Sequence, residues 1–122
     1  MAPTDVRALS VDVSDGAVPV VRLAGELDLS TVPHLTGAIE RAAAAAPRPP
    51  RVVVDLTGLE FSDSTGLRAL IGAVREVEVL GGRASVAVLP DGPFARLVEL
   101  SGLREFLHVA DSPEEALRRL GA

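Results

Sequence analysis

The chain has 122 residues, the length of one domain, and 48% of them are hydrophobic, enough for a real core. It has no cysteine, which excludes disulfides, zinc–thiolate sites and thiol chemistry. Its net charge is −5, its basic residues are twelve scattered arginines, and its only aromatics are Phe61, Phe94 and Phe106; a nucleic-acid surface wants clustered positive charge and stacking rings, so none is expected.

No run of 18 apolar residues exists, so membrane insertion is not expected. The opening MAPTDVRALSVDVSDG lacks the basic start and apolar block of a secretory signal, and the cytoplasm is the expected compartment. The absence of Lys, Asn and Gln beside abundant Ala and Pro reflects a GC-rich coding bias and says little about function.

In chain order, Leu9, Val11 and Val13 alternate with Ser10 and Asp12, the period of a half-buried strand. Ser14-Asp15-Gly16 is a turn signal, and Val18 to Gly25 reads as a second strand closing a hairpin, which Glu26-Leu27-Asp28 then leaves. Ser30 or Thr31 can cap a helix with Pro33 in its first turn, running through Leu35, Ala38 and Ile39 into alanines 42–46 until the prolines at 47, 49 and 50. Residues 52–56, VVVDL, read as a short strand covered on both faces, closed by Thr57-Gly58. From Ser64, the spacing of Leu67, Leu70, Ile71 and Val74 gives one apolar helix face, stopped at Gly81-Gly82.

Ala84 to Leu89 is another buried strand, and Asp91-Gly92-Pro93 opens a short helix carrying Phe94, Leu97 and Val98 that ends at Gly102. Phe106 to Val109 is a last short strand. Ser112 and Glu115 form a capping box, with Pro113 at the first helical position and Leu117 and Leu120 facing inward. The order β-β-α-β-α-β-α-β-α implies one α/β domain over 1–122: an initial β-hairpin, then βα units, in a mixed, mostly parallel sheet packed with helices.

The stretch LEFSDSTGLRAL, residues 59–70, sits between a strand and a helix. Sites in open α/β sheets gather at the carboxyl ends of strands, and a helix N-terminus favours a phosphate through its free N–H groups and dipole. Ser64 occupies such a place, and Gly66, with no Cβ, lets a backbone or ligand come close. The plainer reading is that Asp63 or Ser64 caps the helix.

Catalytic readings fit less well. A nucleophile elbow needs Gly two residues before the serine, where Ser62 stands. An aspartic-protease element would lack the extra residue between Asp63 and Gly66. His34 and His108 are single, without a second ligand at metal spacing, so no metal is expected. Gly81-Gly82 without any Lys is no phosphate loop, so no nucleotide cofactor is expected.

The chain resembles the STAS domain family and, within it, the bacterial anti-sigma factor antagonists. The matching pieces are VVRLAGELDLSTVPHL at 20–35, VVVDLTGLEFSDSTGLRAL at 52–70, GG at 81–82 and LVELSGLREFL at 97–107. They follow family order and spacing and cover nearly all of the chain. The Asp-Ser-Ser/Thr-Gly-Leu element after an Asp-Leu strand is the most specific piece.

The resemblance implies a regulatory binding protein, not an enzyme, that works by partner switching. An unmodified antagonist binds an anti-sigma factor that is also a serine kinase, which frees the sigma factor for transcription. The kinase phosphorylates the serine after the Asp using ATP, and the complex falls apart. A metal-dependent serine phosphatase restores it. The phosphorylated residue maps to Ser64, with Thr65 as the alternative hydroxyl. The implied partner contacts are Glu26, Asp28, Ser30, Phe61, Ser62, Asp63, Ser64, Thr65, Gly66 and Leu67. Ser62 stands where many members carry Met, a departure expected to alter the rim of the site. An alternative within the same fold is a stand-alone STAS subunit of a lipid-transport ATPase complex.

Overall fold

The computed structural model describes residues 9–14 and 16–121. Residues 1–8, and Asp15 of the expected first turn, lie outside the described residues. The elements are β1 (Leu9–Ser14), β2 (Val20–Leu27), α1 (Val32–Ala45), β3 (Arg51–Ser62), α2 (Ser64–Val79), β4 (Arg83–Ala87), α3 (Pro93–Ser101), β5 (Val109–Ala110) and α4 (Pro113–Arg119). They build one sheet in the order β1-β2-β3-β4-β5. β1 and β2 are antiparallel, and every later neighbour pair is parallel. The hairpin-then-βα reading and the mixed, mostly parallel sheet therefore hold.

Alternation along the strands divides the core between the two faces of the sheet. Val52, Val54 and Leu56 of β3 join Leu35 and Ile39 of α1, Leu70 and Val74 of α2, and Phe94 and Val98 of α3. Val53 points the other way, to Ala87, Ala110, Ala116 and Leu120 beneath α4. Pointing an apolar residue to each face is what makes the VVV run continuous rather than alternating. Asp55, also buried, accepts from Arg22 Nε at 3.1 Å and from the Thr57 amide and hydroxyl at 3.0 and 2.7 Å, so its carboxylate is paired and hydrogen-bonded.

Four boundaries differ from the sequence reading. The largest difference is in β3, which does not close at Thr57-Gly58 but continues to Ser62. Asp55 ties down Thr57, two register shifts in the β2–β3 pairing absorb the irregularity, and Gly58 lies against Ala24, where a Cβ would stand 3.0 Å from its Cβ. The expected loop 57–63 is thus mostly strand. β2 starts at Val20 and runs through Leu27, because Glu26 and Leu27 pair with Phe61 and Ser62 of the extended β3.

β4 is Arg83–Ala87 and stops short of Leu89. The last strand is Val109–Ala110 rather than 106–109. Residues 103–108 instead close helix-like turns, with Leu107 N–H donating to Leu103 and His108 N–H to Glu105, before His108 turns the chain at φ 48°.

The cap of α4 follows the sequence in part. Ser112 Oγ accepts from the Glu115 amide at 3.1 Å, but Glu115 reaches past Ser112 to the Asp111 amide at 2.7 Å. Leu120 is buried, Leu117 partly so, and Ala116 is the fully covered residue of α4.

Candidate partner-binding site

Two strand ends and two helix starts meet at one end of the sheet. Glu26 pairs with Phe61 and Leu27 with Ser62, and the Asp63 amide donates to the Leu27 carbonyl at 3.3 Å. Partner contact was expected on the segments 26–31 and 57–63 and the first turns of the helix from Ser64; the end of β3 and the start of α2 lie beside 26–31 through these pairs, whereas 57–62 is strand rather than loop.

The turn from β2 into α1 is a closed polar network. Asp28 Oδ1 accepts from the Ser30 hydroxyl at 2.7 Å, the Ser30 amide at 3.0 Å and the Thr31 amide at 3.2 Å. Thr31 Oγ1 accepts from the Asp28 amide and donates to the Glu26 carbonyl, each at 2.9 Å. The Ser30 hydroxyl pulls the Asp28 carboxyl below its ordinary pKa of 3.8; partial desolvation opposes this, and the two backbone amides reinforce it. Thr31 is the N-cap residue of α1, but its side chain folds back to the strand rather than onto the helix amides.

The junction from β3 into α2 is built differently. Asp63 is the N-cap, and its Oδ1 accepts from the Gly66 amide at 3.1 Å. That resolves the choice between Asp63 and Ser64 as cap. Ser64 follows at the first helical position, exposed, and its hydroxyl has no hydrogen-bond partner among the described residues. Thr65 is half-buried.

Gly66 and Leu67 are buried. A Cβ on Gly66 would stand 2.6 Å from Ser62 Oγ and 2.8 Å from Leu27 Cδ2. The room that glycine leaves is filled by the chain itself, so Gly66 seats α2 on β2 and opens no space for a ligand. Ser62 is buried beneath that seat and donates to the Asp63 carbonyl at 3.2 Å. It acts on the site from below rather than as part of the rim.

Phe61 is 46% exposed and Leu29 77% exposed, so each strand end carries one large apolar side chain in water. Phe61 was expected at the site; Leu29 was not. Its signal was legible as a lone leucine in Asp28-Leu29-Ser30, at a turn where nothing calls for an apolar residue. Among the described residues, no group of three His, Cys, Asp or Glu side chains could hold a metal ion, and no helix is long and apolar enough to cross a membrane.

The strand ends of this small α/β domain thus carry an exposed hydroxyl on a capped helix start beside exposed apolar side chains. The chain belongs to the STAS domain family, whose model, described as Mlab, STAS domain, matches residues 10–109. It is 32% identical over 107 residues to an anti-sigma F factor antagonist of Paenibacillus polymyxa, covering 84% of this chain and 86% of that one. Its fold matches an anti-sigma factor antagonist from Mycobacterium paratuberculosis with a TM-score of 0.80 at 29% identity, covering 93% and 95% of the two chains. It also matches the anti-sigma factor antagonist SpoIIAA in its unphosphorylated form, with a TM-score of 0.63 at 26% identity over 93% and 98%.

Proposed function

We propose that this protein is an anti-sigma factor antagonist switched by phosphorylation of Ser64. The observation that carries the reading is the state of that side chain: exposed, unbonded among the described residues, and fixed at the first position of a capped helix. A kinase must reach a free hydroxyl, and this one needs no rearrangement to be reached. The relatives named as anti-sigma factor antagonists, and the existence of SpoIIAA in a form distinguished as unphosphorylated, support the same role.

In the unmodified state, Leu29 and Phe61 supply the apolar anchors on which an anti-sigma factor with serine kinase activity packs. Such anchors, once desolvated, carry most of an interface's energy. Phosphorylation adds about −1.5 to −2 charges and three acceptor oxygens at neutral pH. The α2 N-terminus tolerates that charge, so the fold stays intact. The partner surface must desolvate it, and affinity falls. A metal-dependent serine phosphatase resets the site.

Titration calorimetry against the cognate anti-sigma kinase tests the reading. Ser64→Ala should bind and stay bound when Mg-ATP is added, whereas Ser64→Asp, equally folded by thermal melting, should bind at least tenfold more weakly. Equal binding by the two folded variants would sink the charge switch. If neither bound any anti-sigma kinase but the protein copurified with a membrane ATPase, the alternative role as a lipid-transport STAS subunit would replace it.

A further inference from the structure

Arg68 stands one helical turn after Ser64 on α2, exposed, with no ion pair or hydrogen bond among the described residues. Residues four apart on a helix are neighbours, their Cβ atoms about 5–6 Å apart. Helical side chains lean toward the helix N-terminus, so a residue at 68 covers the turn that carries Ser64. The other positions three and four residues from Arg68 hold Thr65, Ile71 and Gly72, none of them acidic. The aspartates near the helix start are already engaged. Asp28 accepts from Ser30 and Thr31, and Asp63 accepts from the Gly66 amide. Nothing on α2 or in these two networks claims the guanidinium.

We infer that Arg68 is the internal counterion of a phosphate on Ser64. The inference rests on Ser64 as the modified residue and adds what holds the phosphate once it is there. The order of the two residues is the favourable one, since an anion four residues before a cation is the better arrangement on a helix. The chemistry matches as well. A guanidinium presents a planar fork of donors that binds two phosphate oxygens at once, and a phosphoserine brings three acceptor oxygens and about −1.5 to −2 charges.

Before modification, the Ser64 hydroxyl carries no charge and leaves Arg68 in water. Modification creates a pair that ties together the first two turns of α2. The phosphorylated form is therefore stabilised from within the chain, and a phosphatase must draw the phosphate out of the fork before it can cut. Arg68 thus acts as a positioning residue for the modified state and has no such role in the unmodified one.

Phosphoserine placed at position 64 during translation tests this without any kinase, so the result is separate from whether a kinase selects Ser64. Wild type and Arg68→Ala, each with serine or phosphoserine at 64, are compared by thermal melting. Phosphoserine should raise the melting temperature by about 2 °C more in wild type than in Arg68→Ala. The difference should shrink in about 1 M NaCl. Arg68→Lys should keep part of it, having the charge without the fork. Arg75→Ala removes an equal charge about 16 Å further along α2 and should leave the phosphoserine effect as in wild type. A merely structural role for Arg68 would move both forms alike and cancel from the comparison. In NMR spectra, the Arg68 Nε–Hε signal should shift in the phosphoserine protein. An equal phosphoserine effect in wild type and Arg68→Ala would overturn the proposal. So would a loss matched by Arg75→Ala, or an Arg68 signal that phosphoserine leaves in place.

Discussion

Two serines stand in water at the same end of this molecule, each within two residues of an aspartate that follows a strand, and only one of them has an unbonded hydroxyl among the described residues. The Ser30 hydroxyl is bonded to Asp28 at 2.7 Å inside a network that also engages Thr31. The Ser64 hydroxyl is bonded to nothing described, because Asp63 has taken the capping role. Composition and exposure do not separate them. What separates them is whether a neighbour has already used the hydroxyl, so a modification site is better sought among unbonded polar groups than among exposed ones.

The most direct way to break that comparison is to ask a kinase to choose. Incubated with the cognate kinase and Mg-ATP, the protein should take up one phosphate per chain, all of it lost in Ser64→Ala and all of it kept in Ser30→Ala, as read by intact mass and peptide mapping. Phosphate appearing on Ser30, or mainly on Thr65, would show that hydroxyl freedom is not what selects the site.

A smaller effect, on stability, contrasts the two helix starts. The third helical position is Gly66 in α2 and His34 in α1. Gly66→Ala drives a Cβ into Leu27, which is fully buried and cannot withdraw, so it should cost about 1–3 kcal/mol. His34 is exposed, and His34→Ala should stay within about 0.5 kcal/mol. Urea unfolding of both variants decides it; equal losses would mean that α2 is not seated as tightly as its geometry states.

The subtlest effect is in pH. The folded pKa of Asp28 lies below its ordinary value of 3.8, so the unfolded chain takes up the proton first. The stability this carboxylate contributes is present above the ordinary value of 3.8 and is lost as pH falls through the lowered folded value. A carbon-detected NMR titration of Asp28 should show a midpoint under 3.8, and Ser30→Ala should move it upward, since the Ser30 hydroxyl is the main cause of the shift. No movement would assign the shift to the backbone amides instead.

Much of this was legible in the sequence, because local rules and tertiary packing agree. The Ser64 helix, the glycine stop at 81–82 and the Ser112 cap each rest on side chains close in sequence. The sheet's strand ends were less legible. Thr57-Gly58 carries every sign of a strand terminus, yet β3 continues, because the fit of Gly58 against Ala24 and the pairing of Phe61 with Glu26 come from more than thirty residues away. In the site, Ser64 and Asp63 were readable as types, but which of them capped the helix was not. Leu29 looked like a stray apolar residue until the strand ends came together, and Ser62 looked like rim until Gly66 closed over it.

The length of β3 bears on how fast a switch at its end can work. One strand of 12 residues runs from Arg51 to Ser62, so the last paired residue before Ser64 belongs to the same hydrogen-bonded ladder as the centre of the sheet. The backbone before Ser64 is held by that ladder, which beyond Asp55 is formed with β2 alone, so swinging it out would break the pairing of Phe61 and Ser62 with Glu26 and Leu27. The proposed phosphorylation of Ser64 would then need no opening of the strand end, because the hydroxyl is already exposed. On the proposed switch, enzyme turnover and partner dissociation would set the response time, and amide exchange at Leu59 and Ser62 should be nearly as slow as at Val53.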